Sequence, residues 1–168
     1  VAVTDPLGCN VHLHLGKELV RLQEYETSLR QFAEGLSCRH LGAGGICAES
    51  YLEIAQYLAR RDPFNPRWPG AVGELLSKMG QFASAIPYLR KAIHLEETRH
   101  QLSGISHAQL GYAHAARGNT EKAHEIWAIA DSILNATDPA TPSRARVLLA
   151  SFRQRLETET IPDHILHF

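Results

Sequence analysis

Two stretches of this 168-residue chain repeat one another, and that repetition constrains the fold more than any other feature. Gly80-Gln81-Phe82-Ala83-Ser84-Ala85-Ile86-Pro87-Tyr88-Leu89-Arg90-Lys91-Ala92 carries a turn glycine, a small alanine, a large apolar residue and a second alanine. Gly118-Asn119-Thr120-Glu121-Lys122-Ala123-His124-Glu125-Ile126-Trp127-Ala128-Ile129-Ala130 matches it at the same offsets, in a register of 118 − 80 = 38 residues. Each copy follows an apolar–glycine step, Val72-Gly73 and Leu110-Gly111. A period of this length describes a unit of two helices that cannot bury its apolar face alone, so copies must stack.

The rest of the chain predicts more helix. Ala, Leu, Glu, Gln and Arg are plentiful and alternating β-branched runs are scarce, which points to an all-α protein. Residues 9–22 and 24–37 read as a helix pair, with Leu13, Leu15, Leu19 and Leu22 apolar on the first and Tyr25, Leu29, Phe32 and Leu36 striping the second. Residues 48–61 place Tyr51, Ile54, Ala55 and Leu58 on one face. Asp62-Pro63-Phe64-Asn65-Pro66 must end that helix, because proline disfavours helical geometry in the residue before it. Helices follow at about 69–79, 82–96, 101–117 and 120–135. After Asp138-Pro139-Ala140-Thr141-Pro142, residues 143–157 form a last helix with Leu148, Leu149, Phe152 and Leu156 inward and four arginines outward. Pro87 lies near the start of its helix and removes one backbone bond, so it bends that helix without ending it.

These residues resemble the tetratricopeptide repeat family, which pairs two antiparallel helices per repeat. The middle repeat supplies Val72, Gly73, Leu76, Gly80, Phe82, Ala85, Leu89 and Ala92, and the last supplies Leu110, Gly111, Gly118, Ala123, Trp127 and Ala130. The last departs at His114 and Thr120, where the family prefers bulky apolar side chains. The first is degenerate but in register, with Leu15, Gly16, Leu19, Tyr25, Ser28, Phe32 and Gly35, and Gln23 at its turn. The resemblance implies one domain over 1–168, a right-handed superhelix of antiparallel hairpins with repeats at about 9–37, 66–97 and 104–135. Gly16 to Gly73 is 73 − 16 = 57 residues against about 34 for the family, so an extra helix at about 48–61 is inserted. Residues 62–69 are expected to run extended and cross back, keeping the first helices of all three repeats parallel. The helix at 143–157 is the cap that such repeats need.

In that family the first helices line a concave groove that holds an extended peptide or a partner's helix. Carried over, the groove positions are Asn10, Leu13, Lys17, Val20 and Arg21, then Arg67, Gly70, Glu74, Ser77 and Lys78, then Ile105, Ala108, Tyr112 and Ala115. The first two sets hold Lys17, Arg21, Arg67 and Lys78 against Glu74, which favours a protein or peptide partner with an acidic segment. The third set is apolar and suits a hydrophobic side chain. The tail from Ile165 to Phe168 is short and apolar enough to lie in the same groove. Two alternatives stay open: a regulatory domain sensing a peptide or small effector, and a helical-repeat enzyme with a His/Cys site. A first repeat without a cap also offers Leu13, Val20 and Tyr25 to a second copy of the chain.

Composition and motifs narrow these classes. Net charge is −1, so no global field draws the chain to nucleic acid or to an anionic membrane. No apolar run approaches the roughly 20 residues that span a bilayer. Residues 1–9 lack a basic start and an apolar core, so no secretory leader is expected. Cys9, Cys38 and Cys47 are an odd number without C-x-x-C spacing, which suits a reducing cytoplasm. His100, His107 and His114 share a helix face, but seven residues span about 10.5 Å, too far for one zinc to bind two imidazoles. They read as structural, and neutral burial would make the last repeat acid-sensitive. Cys38-Arg39-His40 with Cys47 has no recognised ligand spacing, His124-Glu125 lacks the second histidine of a zinc-protease motif, and Gly42-Ala43-Gly44-Gly45 reads as a turn. No nucleophile has a histidine and an acid at a recognisable spacing. No metal, cofactor or catalytic activity is therefore expected.

Overall fold

A computed structural model describes Leu15, Gly16, Glu18, Arg21, Glu24 and Thr27, residues 46–137 and residues 143–159. Within 46–159 the described residues form six helices and no strand: α1 (Ile46–Arg61), α2 (Arg67–Lys78), α3 (Phe82–Thr98), α4 (Ile105–Ala116), α5 (Thr120–Thr137) and α6 (Arg144–Glu159). The chain is all-α over these residues. Leu15, Gly16, Glu18, Arg21 and Thr27 are helical too. The rest of the expected 9–37 repeat lies outside the described residues, as do the loop at 41–45 and the tail at 161–168.

The two matching stretches fold alike. Met79-Gly80-Gln81 joins α2 to α3, and Arg117-Gly118-Asn119 joins α4 to α5. Gly80 (φ +76°) and Gly118 (φ +81°) adopt the left-handed conformation that closes each helix end. Links this short between helices that pack on one another make each pair an antiparallel hairpin. Inside each hairpin a glycine faces a large side chain. Gly73 is so close to Leu89 that an added Cβ would lie 2.5 Å from its Cγ, and Gly111 abuts the Trp127 indole in the same way. Leu89 and Trp127 are both fully buried, as are Ala85, Ala92, Ala123 and Ala130.

Two apolar clusters hold the helices together. One joins α1 through α5 around Ala55, Val72, Leu76, Leu89, Leu110 and Ile126. The other joins α4, α5 and α6 around Ala108, Trp127, Leu134, Leu149 and Phe152. α3 is one unbroken helix through Pro87, as expected from the position of the proline in its second turn.

Two expectations fail, each for a local reason. Residues 62–69 do not run extended. Asp62 opens a turn in which its carbonyl accepts from Asn65 N at 3.3 Å, and proline at the second position suits that turn. The Asp62 carboxylate also accepts from Asn65 Nδ2 at 3.0 Å and from the Trp68 indole N–H at 3.3 Å. α2 therefore starts at Arg67, inside the segment expected to cross back, and α1 packs on α2. The helix expected from residue 101 starts later, at Ile105. Glu96 at the end of α3 holds the intervening residues in place by accepting from Ser103 N at 3.4 Å and Ser103 Oγ at 3.3 Å. Gly104 then turns the chain at φ +75°.

Candidate functional site

Arg144 of α6 meets Glu74 of α2 and Arg155 of α6 meets Tyr112 of α4, so side chains of the three helices come together on one face. α6 reaches it because its apolar stripe, Ala145, Leu149 and Phe152, packs into the second cluster against α4. The apolar set expected to seat a partner's side chain is thus covered by the chain itself. Ala108 is fully buried. Ile105, Tyr112 and Ala115 are half-buried against the second cluster, which includes Leu149 and Phe152 of α6. Tyr112 is the pivot of this contact. Its ring stacks on Phe152 with centroids 4.4 Å apart, and it meets the edge of Phe82 from α3 at 5.6 Å.

The polar half of the face is different. Glu74 is largely covered, at 16% exposure, and its Oε1 takes two cations at once. Lys78 Nζ lies at 3.4 Å and Arg144 Nη2 at 2.5 Å, with 51% and 58% of those side chains exposed. One carboxylate between two cations leaves a surplus positive charge facing solvent. Arg155 extends the same stripe of α6, since eleven residues are close to three turns. Its guanidinium donates to Tyr112 Oη at 3.4 Å, and no described carboxylate pairs with it.

The arginines of α6 therefore do more than point outward. Arg144 reaches Glu74 of α2, and Arg155 reaches Tyr112 of α4. Arg146 Nη2 donates to the Leu134 carbonyl of α5 at 2.8 Å, and Arg153 forks onto Asp131 of α5 at 2.6 and 3.4 Å. Together they tie α6 to three helices. Sequence reasoning missed Arg144 and Arg155 as members of this face, although their eleven-residue spacing was visible.

The remaining expected groove residues divide simply. Ser77 is 5% exposed, and its hydroxyl has no hydrogen-bond partner. It presents nothing to a partner. Gly70 faces Ala92 and the Ser106 hydroxyl inside the fold. Arg67 is exposed at the start of α2. Arg21 is exposed and pairs with Glu18 at 3.1 Å. Asn10, Leu13, Lys17 and Val20 lie outside the described residues.

Histidines supply the other perturbed chemistry. His107 and His114 are buried, with 6% and 8% exposure. Burial lowers the pKa of His107 below its ordinary value, against the opposing fields of Glu96 and Glu97. Burial lowers that of His114 as well, reinforced by Arg90, Arg117 and Lys122. Both are held neutral. His100 is exposed and lies in the link before α4, so the three do not share the helix face expected of them. Among the described residues no three His, Cys, Asp or Glu side chains form a group able to hold a metal ion. No described helix is long and apolar enough to cross a membrane.

Compared with protein-family models, curated proteins and solved structures, the chain matches none. The repeat resemblance rests on its own residues.

Proposed function

We propose that this chain is a binding module of the tetratricopeptide type, a right-handed superhelix of helical hairpins that holds an acidic segment of a partner protein. The observation that carries the reading is Glu74 shared between Lys78 and Arg144. A carboxylate already sits between two half-exposed cations, and a partner's carboxylate can take the same donors through charge-assisted hydrogen bonds. Arg155 offers further donors along the stripe, and the rim of Tyr112 offers an aromatic edge. With Ala108 buried and Tyr112 stacked on Phe152 of α6, the contact is polar, so affinity falls as salt rises.

Glu74 acts as an internal competitor in this scheme. The test is fluorescence anisotropy with labelled acidic peptides of varied sequence, at low and high salt. Binding that weakens with salt is expected. It disappears in Lys78→Glu and Arg155→Glu chains and strengthens several-fold in Glu74→Gln. Binding that ignores all three substitutions sinks the proposal.

A further inference from the structure

The cations of the candidate face come from two separate helices. Lys78 stands on α2 with Glu74, while Arg144 and Arg155 stand on α6. Glu74 Oε1 takes Lys78 Nζ at 3.4 Å and Arg144 Nη2 at 2.5 Å, so one carboxylate already joins α2 to α6. With α6 in place this cluster carries a surplus positive charge. Without it Lys78 and Glu74 cancel, and Arg155 leaves Tyr112 as well. The surplus exists only while α6 is docked.

α6 is also held less firmly than its neighbours. α4 is packed between α3 and α5, whereas α6 lies mainly against α4 and little against α5. It buries Ala145, Leu149 and Phe152, fewer side chains than α2, α3, α4 or α5 bury. Its ion pairs to Glu74 and Asp131 use arginines that are 58% and 39% exposed, so each contributes little. The first apolar cluster, from α1 to α5, contains no residue of α6 and stays whole when α6 leaves. An element with few buried apolar contacts opens at a lower free energy than the rest of a fold.

We propose that α6 assembles the acid-binding face, so that α6 docking and partner binding are one linked equilibrium and an acidic segment clamps α6 onto α2 and α4. The inference rests on the reading of this face as an acid-binding surface. A partner carboxylate that takes the donors of Glu74 ties the same two helices from outside. Linkage is reciprocal: whatever loosens α6 weakens the partner, and the partner holds α6 down by the same factor.

The probe is a fluorescein-labelled glutamate decamer. Arg144 and Arg155 are eleven residues apart, about 16.5 Å along α6, and ten extended residues reach about 33 Å. Anisotropy gives its Kd for the full chain, and mass spectrometry follows amide hydrogen exchange across 144–159. At ten times Kd, exchange there should slow about elevenfold, the factor by which a ligand of the docked form suppresses undocking. The same peptide concentration should leave exchange unchanged in Lys78→Glu. Phe152→Ala, which keeps Lys78, Arg144 and Arg155, should bind about tenfold more weakly or worse as the docked fraction falls. Wild-type binding without slower exchange at 144–159 overturns the clamp and leaves the acid-binding reading standing. Phe152→Ala binding as tightly as wild type does the same. Absence of wild-type binding overturns both. The wild-type exchange decides the matter even where Phe152→Ala fails to fold.

Discussion

Gly111→Ala is the sharpest test of how the repeat is built. An alanine Cβ at this position would lie 2.5 Å from Trp127 Cδ1 and 2.9 Å from Cε2, and closer still to the indole nitrogen. The ring has nowhere to go. It is fully buried, and its N–H donates to the Ala108 carbonyl at 3.1 Å. Relief requires α4 and α5 to separate or the indole to leave its hydrogen bond. Overpacking of this kind costs about 1–3 kcal/mol, and an indole N–H left buried and unpaired adds about 1–3 kcal/mol. Alanine returns about 1 kcal/mol through its better helix propensity. The net is a loss of roughly 1–5 kcal/mol, or about 2–20 °C in Tm for a chain of this size. Gly70→Ala is the control. Its Cβ would meet Ala92 and Ser106 at 3.8 and 3.9 Å, which is ordinary contact, so the propensity gain should leave that chain as stable or slightly more so. Urea unfolding followed by circular dichroism and tryptophan fluorescence measures both. Equal stability of the two variants would refute the close-approach argument.

Three further outcomes follow from the same structure. Phe152→Ala removes the ring stacked on Tyr112 and should cost about 3–5 kcal/mol of α6 docking; limited proteolysis is then expected to cleave within 143–159 while α2–α5 persist. Stability should be greatest above pH 6.5. Burial lowers the folded pKa of His107 and His114, so unfolded chains take up protons first as pH falls, and stability is lost from about pH 6.5 down to the folded values, with no further loss from these groups below them. Urea midpoints measured from pH 8 to pH 5 check this. Glu96→Ala leaves the Ser106 hydroxyl, and the Ser103 groups beside it, without their acceptor, at a cost of about 1–3 kcal/mol, and hydrogen exchange should rise first at residues 99–106.

The hairpins were legible because their signals are local. Gly80 and Gly118 mark turns that need positive φ, and Gly73 and Gly111 mark close approaches that need a missing side chain. Both properties belong to single residues at fixed offsets. The turn at Asp62 was not legible in that way. A proline-rich stretch reads equally well as an extended strap, and only the Asp62 bonds to Asn65 and Trp68 decide between them. The start of α4 was missed for a similar reason, since Glu96 and Ser103 meet across a link that helical periodicity does not see.

The candidate face shows the same division more sharply. The family resemblance put Ile105, Ala108 and Tyr112 on the groove side of α4, but a groove position does not say what covers it. The apolar stripe of α6 takes that place, because a helix with Leu149 and Phe152 on one side must bury them and the α4 face is the apolar surface beside it. This packing exchanges one kind of site for another. It covers an apolar face and brings Arg144 to the carboxylate that Lys78 also holds, with Arg155 on Tyr112, so the proposed recognition rests on charge rather than shape. Lys78 and Arg144 are each at least half-exposed, so each pair with Glu74 contributes little. Specificity on such a surface must come from the spacing of several carboxylates along a partner rather than from any single contact. Peptides with acidic residues spaced to meet Lys78, Arg144 and Arg155 together should bind more tightly than peptides of equal charge in one block, and equal affinity for both would refute that argument.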